Sequence, residues 1–259
     1  MAVQDLRHKT RDTDVRLRRD GRGDPLVFLH GAGGWPAWGP FFAKLAGKHG
    51  VLIPEHPGFG RSDHPAWLRN VPDVAMYYLD FLEALDGPNV HLIGHSLGGW
   101  IAAEIAVRNT TRIRSLTLIA PAGVRVKGLT CGDNFIWSRE ESARNLVYDQ
   151  SFAEQELARV PSDEEADIEL TNRFMATKLG WEPRWFNPAL EPWLHRIGVP
   201  TLVLWGRDDK LFPSAYAKAW AARISDVRVD IIPECGHRPQ IEKADVTADK
   251  ILAFIGGQR

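Results

Sequence analysis

A serine, two adjacent aspartates and a histidine stand at positions where they could carry out nucleophilic catalysis. Ser96 lies in the pentapeptide Gly94-His95-Ser96-Leu97-Gly98, between an apolar run and a helical pattern. Asp208 and Asp209 follow a second apolar run, and His237 follows a third. A serine hydroxyl is a weak nucleophile at neutral pH. It needs a histidine base, which in turn needs an anion that holds it in the correct tautomer. These residue types therefore predict acyl transfer from a substrate to a serine.

The glycines on either side of Ser96 favour a sharp turn from strand to helix. A Cβ atom at either position would collide with the neighbouring backbone, and the turn leaves the serine hydroxyl clear of the sheet. The helix that follows aims its N-terminal N–H groups back toward this hydroxyl. The alternative is an ordinary tight turn with an idle serine. The strand pattern before the pentapeptide and the helix pattern after it favour the catalytic interpretation.

A glycine-rich loop follows the apolar run Leu26–Leu29. Its sequence is His30-Gly31-Ala32-Gly33-Gly34, with three glycines in four residues. Such a loop can point its backbone N–H groups inward without obstruction, as the stabilisation of a developing oxyanion requires. A flexible turn without a catalytic role is the alternative.

The elements that must position these residues alternate between strands and helices. Two polar, alternating segments at 6–9 and 15–18 predict an antiparallel hairpin at the sheet edge. Short apolar runs, typical of strands buried in a parallel sheet, occur at 26–29, 51–54, 90–95, 115–120, 200–205 and 227–232. Helical patterns occur at 38–46, 71–85, 97–107, 139–148, 152–160, 163–179, 214–224 and 244–255. The serine, the aspartates and the histidine then share the carboxyl edge of the sheet, where ligands of open α/β sheets bind.

An inserted helical cap is predicted between the strands at 115–120 and 200–205. About eighty residues separate these two strands, far more than a crossover helix needs. We therefore expect a core formed by residues 1–121 and 198–259, with a cap at 122–197. Eight aromatic residues of this stretch are expected to form mainly the cap's own small core: Phe135, Trp137, Phe152, Phe174, Trp181, Trp185, Phe186 and Trp193.

Composition narrows the class of partner. The chain has 259 residues and a formal net charge of −1, with no basic cluster that would bind nucleic acid and no run long enough to span a membrane. The first residues lack an apolar signal core, so a cytoplasmic protein with a small-molecule partner is expected. Cys131 and Cys235 are expected to be reduced thiols. The oligomeric state is not predictable from these patterns.

No metal site is expected. His56 and His64 lie in a loop without metal-ligand spacing, and this loop is expected to be stabilised by Arg61 pairing with Asp63 or Glu55. His91 and His95 lie four residues apart on a predicted strand, which separates them by roughly 13 Å, too far to share one ion.

The sequence resembles the α/β-hydrolase family over essentially its whole length. The residues that carry the resemblance are His30-Gly31, Pro57-Gly58-Phe59-Gly60-Arg61-Ser62, Gly94-His95-Ser96-Leu97-Gly98-Gly99, Gly206-Arg207-Asp208-Asp209 with Pro213, and Gly236-His237. The resemblance implies a mostly parallel eight-stranded sheet flanked by helices, with an inserted cap. It also implies Ser96 as the nucleophile, His237 as the general base and acid, and Asp209 as the orienting acid. The N–H groups of Ala32 and Leu97 would form the oxyanion hole. No metal or organic cofactor is implied.

The family does not determine the substrate, because the same fold carries several hydrolytic chemistries. A serine at the turn argues against the family's epoxide and halide chemistries, which use aspartate there. We expect cleavage of a small, largely apolar ester or related acyl compound through an acyl-enzyme. The first alternative is carbon–carbon bond hydrolysis of aromatic ring-fission products. Hydrolases of that kind are similar to this chain but carry asparagine at the position of His95 and tryptophan at that of Arg238. A ligand-binding receptor on a hydrolase scaffold is the alternative from another class.

Substrate contacts are expected from the cap and from the loops beside the serine. The residues selected are Gly33, Trp137, Arg173, Trp185 and Arg238. Arg173, with Arg139 and Arg144, could bind a substrate carboxylate, although solvated helix arginines are common. The two tryptophans are expected to influence the choice of acyl chain.

Overall fold

The computed structural model describes residues 3–257. Its strands are β1 (Gln4–Thr10), β2 (Thr13–Asp20), β3 (Pro25–Leu29), β4 (Gly50–Pro54), β5 (Val90–His95), β6 (Ile113–Ile119), β7 (Thr201–Gly206) and β8 (Val227–Ile232). Its helices are α1 (Pro40–Ala46), α2 (Val71–Ala84), α3 (Leu97–Arg108), α4 (Arg139–Asn145), α5 (Gln150–Ala158), α6 (Asp163–Gly180), α7 (Tyr216–Ala221), α8 (Pro239–Glu242) and α9 (Ala244–Gly256), with a 3-10 helix at Glu191–Arg196. The helix predicted at 214–224 is thus shorter than expected, and the sequence patterns did not indicate α8.

The strands form one eight-stranded sheet in the order β1-β2-β4-β3-β5-β6-β7-β8. The pairs β1/β2 and β2/β4 are antiparallel, and all the other pairs are parallel. Strand β2 alternates between buried and partly exposed residues, whereas β5 and β7 are buried at every residue. The alternating pattern is typical of a strand near the edge of a sheet, and the continuously buried pattern is typical of central parallel strands. The predicted fold class and edge hairpin are confirmed.

Two apolar layers enclose the sheet. On one face, α2, α3 and α7 contribute to the larger cluster of buried side chains, which includes Phe81, Ile101 and Trp220. On the other face, α1 and α9 pack together over a second cluster that includes Phe41 and Phe254. Among the helices of residues 3–257, none is both long and apolar enough to cross a membrane. Cys131 and Cys235 are free thiols, as predicted.

Residues 122–197, called the insert below, connect β6 to β7 and contain α4, α5, α6 and the 3-10 helix. Ser138 and Ser162 begin α4 and α6 with capping boxes, in which the serine oxygen accepts a backbone N–H and a glutamate reaches back to the serine N–H. The first and last parts of the insert pair with each other, because Gly123 and Phe186 form an isolated parallel bridge. That the insert forms a cap domain with the boundaries given above stays a prediction.

The expectation that the aromatic residues build the insert's own core is wrong. The small cluster internal to the insert consists of Ala143, Val147 and Ala153, with Phe152 and Leu157 against it. Trp185 instead joins the larger cluster of the sheet and stacks on Phe135 at 4.8 Å between ring centroids. Phe174, Trp181 and Trp193 are 57%, 47% and 53% exposed. The insert helices are short or polar, so their apolar side chains pack mainly against the underlying domain.

Candidate active site

The turn around Ser96 has the backbone strain that its flanking glycines allow. Ser96 adopts φ 54° and ψ −115°, in the region that residues with a Cβ rarely occupy. A Cβ on Gly94 would overlap the carbonyl oxygen of Gly98, and a Cβ on Gly98 would overlap that of Leu29. The glycines therefore let β5, α3 and the end of β3 approach closely, and the serine stands where these three elements meet.

The structure brings Ser96, His237 and Asp209 into one hydrogen-bonded chain. The Ser96 hydroxyl lies 3.0 Å from Nε2 of His237, and Nδ1 of that ring lies 2.7 Å from Oδ2 of Asp209. Because a carboxylate only accepts, Nδ1 carries the proton and Nε2 is free to accept the proton of the serine. All three residues are at most 8% exposed. The arrangement can therefore deprotonate the serine and stabilise the resulting imidazolium.

Asp209 is held by donors that leave one oxygen facing the histidine. Its Oδ1 accepts the backbone N–H groups of Leu211 and Phe212 at 2.8 and 2.9 Å. Its Oδ2 accepts the indole N–H of Trp205 at 3.0 Å in addition to His237. Trp205 was not selected from the sequence as a site residue. Its place four residues before Asp209, at the end of a buried strand, is the signal that could have indicated it.

The loop after β3 closes as a tight turn next to Ser96. The carbonyl of Gly31 accepts the N–H of Gly34 at 3.1 Å and Nδ1–H of His30 at 2.8 Å. In a trans peptide the carbonyl and the following N–H point in opposite directions, so these two donors also orient the N–H of Ala32. A Cβ on Gly31 would lie 3.4 Å from the Cβ of Ser96. Leu97, whose N–H is the second predicted oxyanion donor, is the first residue of α3 and is fully buried.

Two stacked histidines, both fully buried, support this loop. His30 accepts the backbone N–H of His56 at Nε2, which leaves its proton at Nδ1. His56 donates from Nε2 to the carbonyl of His30 and accepts the hydroxyl proton of Tyr78 at 2.6 Å. Burial lowers the pKa of His56 to about 4 and that of His30 well below its ordinary value. Both rings are therefore neutral at pH 7, with tautomers set by their partners.

His95 contacts the backbone of His237. Its Nε2–H donates to the carbonyl of His237 at 2.9 Å, and the ring centroids lie 5.1 Å apart. Burial, followed by the nearby His237, lowers the pKa of His95 to about 3, so the ring is neutral at pH 7. Residues 3–257 contain no cluster of three His, Cys, Asp or Glu side chains arranged to hold a metal ion.

The residues predicted to contact substrate lie in varied surroundings. Gly33 and Arg173 are exposed, and Trp137 is half-buried. Trp185 is 5% exposed, and its indole N–H donates to Asn134 at 2.7 Å. Arg238 forms an ion pair with Glu156 of α5 at 2.5 Å. The contribution of these five residues to substrate binding stays a prediction.

The two other arginines considered for a substrate carboxylate are already engaged within the insert. Arg139 donates to the carbonyls of Glu156 and Arg159, and Arg144 pairs with Glu140 at 2.9 Å.

The loop 55–63 contacts the insert in a way that the sequence did not indicate. Arg61 pairs with Glu55 only through its backbone N–H, which donates to Oε2 at 3.0 Å, and its guanidinium pairs with Glu164 of α6 and not with Asp63 or Glu55 as an ion pair would require. Asn172, 5% exposed on the same helix, accepts the N–H of Gly60 at 2.9 Å and donates to the carbonyl of Gly33 at 3.4 Å. The burial of Asn172 could not be predicted from the sequence, because most of α6 is exposed and this residue is buried only where the helix packs against the two loops.

The fold and this site define the class of protein. A sequence model described as "Alpha/beta hydrolase family" matches residues 26–250, and the chain belongs to that family. The protein is therefore a hydrolase by family.

Two relatives that are similar to this chain over most of its length are named as hydrolases of unsaturated keto acids or semialdehydes. The 2-hydroxymuconate semialdehyde hydrolase of Pseudomonas sp. (strain CF600) is 29% identical over 93% of this chain and 90% of its own. The 2-hydroxy-6-oxo-2,4-heptadienoate hydrolase of Pseudomonas putida is 28% identical over 89% of this chain and 88% of its own. Among solved structures, the meta-cleavage product hydrolase from Pseudomonas fluorescens IP01 has a TM-score of 0.80 and 21% identity, with 98% of each chain covered. This last likeness concerns the fold alone.

Proposed function

We propose that the protein is a serine hydrolase in which Ser96 is the nucleophile, His237 the general base and acid, and Asp209 the orienting acid. The observation that carries this proposal is the continuous hydrogen-bonded chain from Ser96 through His237 to Asp209, at 3.0 and 2.7 Å. Both distances lie within the range needed for proton transfer and for fixing the histidine tautomer. The low exposure of Ser96, His237 and Asp209 supports the same role, since water competes little with hydrogen bonds between buried groups.

In the first half of the reaction, Ser96 Oγ attacks a carbonyl carbon of the substrate while its proton moves to Nε2 of His237. The oxygen that becomes negatively charged is stabilised by the N–H groups of Ala32 and Leu97. When the tetrahedral intermediate collapses, the leaving group takes the proton from His237 and an acyl-serine remains. Water, deprotonated by the same histidine, then releases the acid and restores Ser96.

We propose a carbon–carbon bond as the one that is cleaved, in a substrate that resembles 2-hydroxy-6-oxo-2,4-heptadienoate. The names of both relatives given above specify hydrolysis of a muconate semialdehyde or of such a dienoate. The 2-hydroxyl proton first moves to C5, which converts the dienol into a C2 ketone conjugated with a C3–C4 double bond. Attack at the C6 ketone then breaks the C5–C6 bond, and its electron pair is taken up by this conjugated ketone as a dienolate. Substrate and water yield acetate and 2-hydroxypenta-2,4-dienoate, with the proton from His237 placed on the C2 oxygen of the dienolate.

Ester hydrolysis is the second candidate, and two residues favour it. The resemblance to ring-fission hydrolases implies asparagine at the position of His95 and tryptophan at that of Arg238, and this chain departs from that pattern at both. Arg238 is paired with Glu156 of the insert, so it presents a charged side chain where those enzymes have an aromatic one. A simple ester needs no group that stabilises a carbanion, because its alkoxide leaves readily once protonated.

The two candidates are separated by measuring kcat/KM with 2-hydroxy-6-oxo-2,4-heptadienoate and with p-nitrophenyl acetate, butyrate and octanoate. We expect the dienoate to be the best substrate, with loss of its visible absorbance matched by released acetate. A higher kcat/KM for an ester would favour the second candidate. Absence of turnover and of an acyl-enzyme burst with all four compounds would favour a ligand-binding receptor.

The nucleophile is tested with Ser96→Ala, and Ser151→Ala on the exposed face of α5 is the matched control. Loss of a triad nucleophile should lower kcat by roughly 10⁴ to 10⁶. A fluorophosphonate should label the parent and the control but not Ser96→Ala. Labelling of Ser96→Ala, or kcat within tenfold of the parent, would contradict the assignment.

A further inference from the structure

Glu242, at the end of the short helix α8, connects the insert to the segment that carries His237. Its Oε2 accepts the backbone N–H groups of Tyr148 and Asp149 at 2.6 and 3.2 Å, and its Oε1 accepts the N–H of Gly236 at 2.9 Å. Tyr148 and Asp149 lie in the corner between α4 and α5, and Gly236 directly precedes His237. The half-buried carboxylate of Glu242 thus binds both the corner between α4 and α5 and the segment that carries His237.

The backbone around His237 rests directly on this corner. The N–H of His237 donates to the carbonyl of Leu146 at 3.0 Å. Gly236 lies so close to the corner that a Cβ there would come within 2.9 Å of the backbone of Leu146 and Val147. A displacement of the corner would therefore move the backbone of His237, and the imidazole with it.

A gap separates part of the α4–α5 corner from the loop that carries Asp209. A surface cavity of about 490 Å³ lies between Val147 and Tyr148 on one side and residues 208–210 on the other. Across this gap the corner is not packed on the loop that carries Asp209. The close polar contacts between the insert and the His237 segment are the bonds of Glu242, the bond from His237 N–H to Leu146, and the Arg238–Glu156 ion pair of α5.

The chemistry of the contact requires a carboxylate. Donors approach Glu242 from opposite sides, so both of its oxygens must accept. An amide has only one acceptor oxygen, and its NH₂ group would face an N–H donor on the other side. Burial raises the pKa of Glu242, and the backbone N–H groups oppose this by stabilising the charged form.

We propose that Glu242 is a positioning residue for the catalytic histidine, because it fixes the α4–α5 corner against the His237 segment and so keeps Nε2 within reach of Ser96. This inference rests on the proposed function, in which His237 is the base. It assigns the insert a role in aligning the base, in addition to its predicted role as a cap. A misplacement of about 1 Å can lower a rate by roughly 10²-fold.

The test compares Glu242→Gln with Glu141→Gln. Glu141 is a matched control, since it lies in the first turn of α4 and also accepts a backbone N–H, that of Ser138 at 2.8 Å, but does not contact the His237 segment. We expect kcat of Glu242→Gln to fall about 10- to 100-fold with KM within threefold, and kcat of Glu141→Gln to stay within twofold. Glu242→Asp, which keeps both oxygens but is shorter, should lie between the parent and Glu242→Gln.

A second readout distinguishes positioning from general stability. The proton shared by His237 and Asp209 should give a far-downfield ¹H resonance, assigned by its loss in Asp209→Asn. We expect this resonance to move or broaden in Glu242→Gln at temperatures where circular dichroism shows a folded protein. An unchanged resonance, a kcat within threefold of the parent, or an equal loss in Glu141→Gln would overturn the proposal.

The resonance does not depend on turnover. A parent protein without Ser96 labelling would therefore reject the proposed function, while the resonance would still report whether Glu242 positions His237.

Discussion

At the scale of single residues, the two carboxylates after β7 have opposite surroundings. Asp209 is 5% exposed and accepts four hydrogen bonds, one of them from His237. Asp208 is half-buried. Among residues 3–257, its carboxylate accepts a hydrogen bond only from the backbone N–H of Cys235, at a long 3.4 Å. Adjacent side chains point in different directions, so only one of the two can meet the histidine.

This difference predicts unequal effects of two identical changes. Asp209→Asn preserves the shape of the side chain but places an amide against Nδ1 and favours the wrong tautomer of His237. We expect kcat to fall by about 10⁴. Asp208→Asn should lower kcat by less than about tenfold, as for a weakly engaged surface group. Both kcat values are measured on the best substrate. A large loss in Asp208→Asn with a small one in Asp209→Asn would contradict the assignment.

At the scale of elements, α6 joins two loops beside the site through one side chain. Asn172 accepts the N–H of Gly60 and donates to the carbonyl of Gly33, so it connects the loop after β4 with the loop after β3. Arg61 and Glu164 form a second contact between α6 and the loop after β4, near the helix's N-terminal end. The buried polar bond is the more valuable one, because an exposed ion pair contributes little net stability.

Asn172→Ala should therefore lower the free energy of unfolding by about 1–3 kcal/mol, since it leaves the N–H of Gly60 without its acceptor. Thr177→Ala on the same helix is the control, because its hydroxyl donates only to the carbonyl of Arg173 one turn earlier. The control should change stability by about 0.5 kcal/mol or less. Urea unfolding curves with equal m-values measure the free energy of unfolding of both variants. Equal losses in the two variants would mean that α6 itself, and not its contact with the loops, determines the change.

At the scale of the whole molecule, buried neutral histidines make stability depend on pH. Burial lowers the pKa of His56 to about 4 and that of His95 to about 3, and it lowers that of His30 as well. The unfolded chain binds these protons near pH 6.5, before the folded protein does. Stability is therefore complete above pH 6.5 and is lost as the pH falls toward 4. Glu55 and Glu242 act in the opposite sense near pH 4.5, because burial raises their pKa values.

We predict that unfolding free energy falls between pH 7 and pH 5 by about 2 kcal/mol for each of His56 and His95. The measurement is a series of urea unfolding curves from pH 5 to pH 8. His95→Asn should reduce the slope by the contribution of one proton, whereas Ser151→Ala, which removes no titratable group, should leave it unchanged. A stability that is constant or that rises toward pH 5 would contradict the neutral state assigned to the buried histidines.

Much of the fold could be predicted from local patterns, because the burial of a segment is reflected in the order of its apolar and polar residues. Strands buried on both faces of a parallel sheet appear as continuous apolar runs, and the edge hairpin appears as alternation. The glycines around Ser96 also indicated the sharp turn, since the close approach of β5, α3 and β3 excludes a Cβ. The order of serine, aspartate and histidine at strand ends then predicts that they share one edge of the sheet.

Contacts between the insert and the underlying domain were decided only by tertiary structure. Arg61 pairs with Glu164 and not with its sequence neighbours, Trp185 joins the core of the sheet, and Glu242 reaches the corner at Tyr148. Each of these depends on how a helix docks across a long sequence separation, and that docking is not encoded in the periodicity of either segment. Local sequence determined which residues could do chemistry at the sheet edge. The docking of the insert decided what surrounds them, because a side chain's partners depend on distances that only the folded chain establishes.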